Sequence, residues 1–225
     1  MSYEVGDPII CSPYNEPAEH WHIDGDAPPL REPGRRPAAY FWHDPKAAPA
    51  EPGRPVEPQV VDLPLVNLIR ERVKDWRQRG WPGATRTTRD LLHYWRREGR
   101  RHRLFFAQVE AAETIIFLTE GPADVRQGTV PPRDAAFGFL RYACKMATGT
   151  GKTTVMGMLA AWSILNKTAD RGDARFADTV LVVCPNVTIR NRLGELDPHR
   201  GEASLYRTRD LVPPEQMPRL RIDHW

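Results

Sequence analysis

The sequence predicts an α/β fold: an incomplete parallel sheet built on a phosphate-binding loop, with a proline-rich extended segment and a basic helical region ahead of it. Three observations predict this. Thr148-Gly149-Thr150-Gly151-Lys152-Thr153-Thr154 has the glycine and lysine spacing of a P-loop, with an apolar stretch, Phe137 to Ala143, before it and a helix-patterned run, Thr153 to Asn166, after it. Thr179-Val180-Leu181-Val182-Val183-Cys184 is a short continuous apolar run, as in a parallel strand covered on both faces. Pro185 to Leu193 then turns into another helix, which gives a βαβ order with ligand loops at the carboxyl ends of strands.

Residues 1–64 hold 13 of the 22 prolines, broken by aromatic groups at Trp21-His22 and Tyr40-Phe41-Trp42-His43. Pure linkers rarely carry so many aromatics, so the segment is expected to be extended and packed on the body, with Ala47 to Pro58 flexible. His20, His22 and His43 match no standard metal-ligand spacing. Cys11, Cys144 and Cys184 form no C-x-x-C pair, which suits reduced thiols in a cytoplasm. No apolar run approaches the ~18 residues of a membrane span, and the N-terminus lacks a secretory pattern.

Residues 65–103 read as a basic helical region. Leu65, Ile69, Val73 and Trp76 recur at helical spacing, and Gly80, Pro82 and Gly83 end that helix. Thr87-Thr88-Arg89-Asp90 resembles a capping box opening a second helix, with Leu91, Leu92 and Trp95 inward. Between Arg70 and Arg103 stand twelve Lys/Arg against four Asp/Glu. Such a patch suits a phosphate backbone, with Arg86, Arg89, Arg96, Arg97, Arg100 and Arg101 as candidates; a solvated face balanced by acids elsewhere is the other reading.

Residues 104–225 carry the chemistry. A helix runs from Leu104 through Leu118 and stops at Gly121-Pro122. Gln108 stands at its start, and a primary amide matches the donor and acceptor edge of adenine. In the P-loop, Gly149 and Gly151 let successive N–H groups face a polyphosphate, at a helix N-terminus that favours anions. Lys152 places a cation on the β/γ-phosphates, and the Thr153 hydroxyl supplies a Mg²⁺ ligand. Thr148, Thr150 and Thr154 complete the cradle. Met146 occupies the place of the first P-loop glycine, which argues against kinase-like and GTPase-like versions. In the helix that follows, Val155, Leu159 and Trp162 are expected inward, and Gly201 to Trp225 shows weak patterning.

Ala143-Cys144-Lys145-Met146-Ala147-Thr148-Gly149-Thr150-Gly151-Lys152-Thr153 resembles motif I of superfamily 2 helicases of the DEAD/DEAH type. It is closest to the form found in the motor subunits of type I and type III restriction enzymes, where Met146 is no anomaly. Phe106-Ala107-Gln108 resembles the Q motif, which implies adenine recognition by Gln108. Val182-Val183-Cys184-Pro185-Asn186-Val187-Thr188 resembles motif Ia, which implies DNA-backbone contacts at Pro185, Asn186 and Thr188. Pro8 to Tyr14 and the helices around Trp76 and Trp95 resemble the leader of a type III restriction-like group.

The resemblance implies the first, RecA-like lobe of a cytoplasmic DNA-dependent ATPase. ATP and Mg²⁺ would be its cofactors, and double- or single-stranded DNA and a modification methyltransferase subunit its partners. No hydrophobic strand ending in Asp-Glu follows motif Ia, so the lobe is expected to be truncated and the isolated chain inactive as a motor. The alternatives are a non-catalytic nucleotide- or DNA-binding fragment and a small-molecule P-loop phosphotransferase.

Overall fold

The computed structural model describes residues 7–23, 27–44, 59–129 and 140–220. Within them, two hairpins precede a helical body. β1 (Glu19–His22) pairs antiparallel with β2 (Leu30–Pro33), and β3 (Ala39–Trp42) with β4 (Gln59–Asp62). The N-terminal segment is thus partly strand, and its aromatics divide. Trp21 is half-buried with Arg31 stacked on its ring, whereas Tyr40, Phe41 and Trp42 remain exposed. Backbone and polar contacts tie the segment to the body: Phe106 N–H donates to the Pro13 carbonyl at 2.8 Å, and Ala38 N–H to Asn67 Oδ1 at 2.7 Å. Arg35 forms a two-pronged ion pair with Glu110. The stretch Ala47 to Pro58 lies outside the described residues.

Helix α1 (Pro64–Gln78) begins at a proline, whose missing N–H is no loss in a first turn. It buries Ile69, Val73 and Trp76, the expected stripe. Helix α2 (Arg86–Arg96) opens two residues before the expected box. Its cap is Thr85, whose hydroxyl accepts the Thr88 N–H at 3.0 Å and satisfies one of the orphan donors of the first turn. Thr88 is instead buried, because its own hydroxyl donates to Glu120 at 2.7 Å.

Helix α3 (Phe106–Glu120) stops at Gly121, where an added Cβ would lie 2.7 Å from the Phe117 carbonyl oxygen. Helix α4 (Lys152–Ala169) follows the P-loop and packs on α2 and α3. It buries Val155, Met158, Ala161, Trp162 and Leu165, while Leu159 is only partly covered. α5 (Val187–Leu193) is a short exposed helix; after it come 3₁₀ turns and α6 (Leu205–Thr208).

One hydrophobic core joins the basic helices to the P-loop helix and to the chain after Leu196. The weakly patterned tail supplies Leu205, Tyr206, Leu211, Val212, Met217 and Leu220 to that core. Burial there comes from the one-turn helix α6, short 3₁₀ segments and bends, none long enough to mark a 3.6- or 2-residue period in the sequence. Two acids organise the interior. Fully buried Glu113 accepts from Arg77 at 2.7 Å, Arg96 at 2.6 Å and Trp81 Nε1 at 3.2 Å. Glu120 accepts from Thr85 N–H, Thr88 Oγ1 and Trp162 Nε1, each at 2.7 Å, which binds α2, α3 and α4 together.

The expected parallel sheet is not seen among the described residues, whose strands form two separate antiparallel pairs. Residues 140–147, ahead of the P-loop, and Thr179–Cys184 run without strand pairing, and Phe137 to Phe139 lie outside the described residues. Leu181 and Val183 are 86% and 83% exposed, against 38% for Val180 and Val182. That alternation is the period of a strand, without a ladder partner.

Candidate functional site

The P-loop keeps its turn through two left-handed glycines, Gly149 at φ 83° and Gly151 at φ 79°. Gly151 is the N-cap of α4, so the loop delivers the chain straight into the first helical turn. No acidic residue occupies that turn, and the unpaired N–H groups present partial positive charge to the cleft. Thr150 Oγ1 donates to the Ala147 carbonyl at 2.7 Å and tightens the turn from within. Lys152 is exposed, with Nζ 3.2 Å from Met146 O and 3.0 Å from Ala147 O. A phosphate reaching Lys152 would exchange two neutral carbonyls for anionic oxygens, which form stronger bonds to an ammonium.

Thr148 is exposed in the turn, Thr153 is half-buried, and Thr154 is buried beside the cleft. Thr153 is therefore partly accessible in the first turn of α4, next to Lys152, at the position where a P-loop carries its hydroxyl ligand for Mg²⁺. That is a fit for one ligand of the ion from this chain.

Gln108 comes to the same place from another element. It is the third residue of α3, and its Oε1 accepts the Phe105 N–H at 2.9 Å, reaching back as capping-box residues do. This holds the amide in one orientation, with Nε2 against the P-loop. A Cβ built on Gly151 would lie 2.1 Å from Gln108 Nε2. Gln108 is 7% exposed, and the cleft it shares with Gly149, Gly151 and Thr154 has a volume of about 220 Å³. His102, Arg103 and Arg209 also line it, and no carboxylate does. Sequence reasoning missed these three. Arg209 lies 101 residues from Gln108 in a stretch without periodicity, so nothing local marks it.

The proposed DNA contacts separate into groups. Arg96 is committed to buried Glu113, and Arg97 forms an ion pair with Asp210. Arg100 is 8% exposed and donates to the carbonyls of His102, Tyr94, Arg209 and Asp210. These three serve the fold. Arg86 and Arg89 point outward on α2, Arg86 with Asp90 at 3.9 Å, and Arg101 is exposed as well. Pro185, Asn186 and Thr188 are exposed together at the start of α5, where Asn186 Oδ1 accepts the Ile189 N–H at 2.9 Å. Asn186 is thus an N-cap, which accounts for its residue type without DNA.

No helix of the described residues is long and apolar enough to cross a membrane. Comparison with family models, with curated proteins and with solved structures returned no match.

Proposed function

We propose that this chain is the ATP-binding portion of a DNA-dependent ATPase of the restriction-type helicase class. The observation that carries the reading is the meeting of Gln108 with Gly151. An amide able to read a base and a loop able to cradle phosphates occupy one cleft, although they arise on different helices. Adenine would lie toward Gln108 and Phe105, and the phosphates toward Gly149, Gly151 and Thr154, with Lys152 and Thr153 beside the cleft in the first turn of α4 rather than in its lining. Lys152 would stabilise charge on the γ-phosphoryl, and the Thr153 hydroxyl would hold Mg²⁺. Bound there, Mg²⁺ would supply neutralisation of phosphate charge.

In an intact motor of that class, hydrolysis drives movement along DNA. The described residues hold no Asp-Glu pair at the end of an apolar strand, so this chain is expected to bind nucleotide without turning it over. Exposed Arg86 and Arg89 favour a second reading, a non-catalytic nucleic-acid-binding fragment. Met146 in the place of the first P-loop glycine, and Gln108 within the cleft, weigh against a small-molecule phosphotransferase. DNA and a methyltransferase subunit are partners of the proposed class, and the cytoplasm its compartment.

Calorimetric titration with MgATP tests the reading. Binding by the wild-type chain that is lost in Lys152→Ala is the expected result. Equal affinity in the two proteins would remove the site assignment. DNA binding that weakens with salt and survives Lys152→Ala, without any nucleotide binding, would favour the fragment reading.

A further inference from the structure

We propose that Arg209 is a phosphate ligand of the nucleotide, delivered to the P-loop cleft by the irregular chain after α5. The inference rests on the nucleotide-binding reading of that cleft. Two arginines and a histidine line the cleft, with no carboxylate among the lining residues, so the chemistry selects an anion.

The two arginines are not equivalent. Arg103 lies over the Tyr14 ring, 4.5 Å from its centroid, and Tyr14 in turn contacts Phe105. Arg209 is exposed, and no hydrogen bond or ion pair of its guanidinium is found among the described residues. Its neighbours are engaged otherwise: Arg207 pairs with Glu202 at 3.1 Å, and Arg97 with Asp210.

The backbone under Arg209 is held far more firmly than its exposed side chain requires. Arg100 Nη2 donates to the Arg209 carbonyl at 2.7 Å and the Asp210 carbonyl at 2.9 Å. Trp95 Nε1 donates to the Leu211 carbonyl at 2.8 Å, and Leu211 N–H to the Tyr206 carbonyl at 2.8 Å. Asp210 adopts a left-handed φ of 53°, a conformation a non-glycine residue keeps only when its surroundings impose it. Residues 94–100 thus bolt the turn in place, and the turn puts Arg209, whose guanidinium has no partner among the described residues, in the cleft lining. Such a group can take two phosphate oxygens at once. Gln108, nine-tenths buried and with no acceptor for Nε2 among the described residues, marks the same cleft as one made for a ligand.

The test titrates the full chain with MgATP and with adenosine, comparing wild type, Arg209→Ala, Arg207→Ala and Lys152→Ala. The expected result is a loss of MgATP affinity of about tenfold or more in Arg209→Ala, as for removal of one charge-assisted hydrogen bond. Adenosine affinity and the thermal midpoint should stay at wild-type values, and Arg207→Ala should bind MgATP as wild type does. Wild-type MgATP affinity in Arg209→Ala, with loss in Lys152→Ala, overturns the role of Arg209 and leaves the P-loop site standing. Equal losses for MgATP and adenosine also overturn it, because a phosphate ligand must discriminate them. No MgATP binding by the wild type overturns the nucleotide site itself.

Discussion

The side-chain amide of Gln108 fills the space where a Cβ on Gly151 would stand, 2.1 Å from its nitrogen. The residue that resembles an adenine reader is therefore locked against the last glycine of the phosphate loop. Substituting Gly151 by alanine meets two penalties: the left-handed φ of 79°, about 1–2 kcal/mol for an L-residue, and the collision with Gln108. Gly151→Ala is expected to lose MgATP binding. Adding Gln108→Ala removes the collision but not the strain, so the double variant should recover part of the thermal stability. A double-mutant cycle by thermal denaturation reads this coupling, and additive effects would show that the two residues do not touch.

Glu113 faces two guanidinium groups in a place closed to water. Its side chain is 0% exposed, against 17% for Arg77 and 28% for Arg96. Neutralising one partner of a buried pair leaves the other charges without compensation, at a cost of about 3–5 kcal/mol. Glu113→Gln keeps the shape and removes the charge. Urea denaturation should place it that far below wild type, while Asp75→Asn, in an exposed pair with Arg79, should move stability by less than about 1 kcal/mol.

The contrast between these two acids shows what was legible in the sequence. The stripe of Ile69, Val73 and Trp76 and the glycine stop at Gly121 were readable, because helical period and breakers are local signals. The P-loop turn was readable for the same reason. The fate of the arginines was not. Arg96 and Arg97 look like a surface patch in sequence, yet their acids, Glu113 and Asp210, lie 17 and 113 residues away. Long-range pairing of that kind has no period. Nor has the burial of Leu205, Tyr206 and Leu211, which rests on the single helical turn of α6 and the bend after it, too short to show a period. The cap at Thr85 was missed by two positions because Thr85, Thr87 and Thr88 are chemically alike, and only the placement of Glu120 under Thr88 separates them.

Alkaline pH should loosen the turn that carries Arg209. Burial, then the hydrogen bond from Tyr94 to the Asp210 carboxylate, pushes the Tyr94 phenol up from 10.0 to about 12. A folded-state pKa raised above the unfolded value means that the protonated form is favoured by folding. The stability it contributes is complete below pH 10 and is lost as pH rises toward 12. Arg97 and Arg100 oppose the shift by attracting a phenolate, but they do not reverse it. Tyr94→Phe lacks the titrating group, so its stability should fall less steeply across that window. Denaturation midpoints taken between pH 9 and 12 check this; parallel curves for the two proteins would place the alkaline loss elsewhere.

Thr179–Cys184 is expected to govern the behaviour of the chain at high concentration. Its residues are β-branched or apolar and uncharged, and they alternate in exposure as a strand does: Leu181 at 86% and Val183 at 83% against 38% for their neighbours. Unpaired backbone with strand-forming side chains is a template for pairing with another copy. A charge on the outward face blocks that pairing without touching the core. Leu181→Lys and Val183→Lys should therefore lower light scattering at a given concentration and leave the thermal midpoint near the wild-type value. MgATP affinity should be unchanged, because neither residue lines the cleft of Gln108 and Gly151. Aggregation that persists in both variants would direct attention to exposed apolar groups elsewhere, among them Phe41 and Val60 on the paired strands β3 and β4.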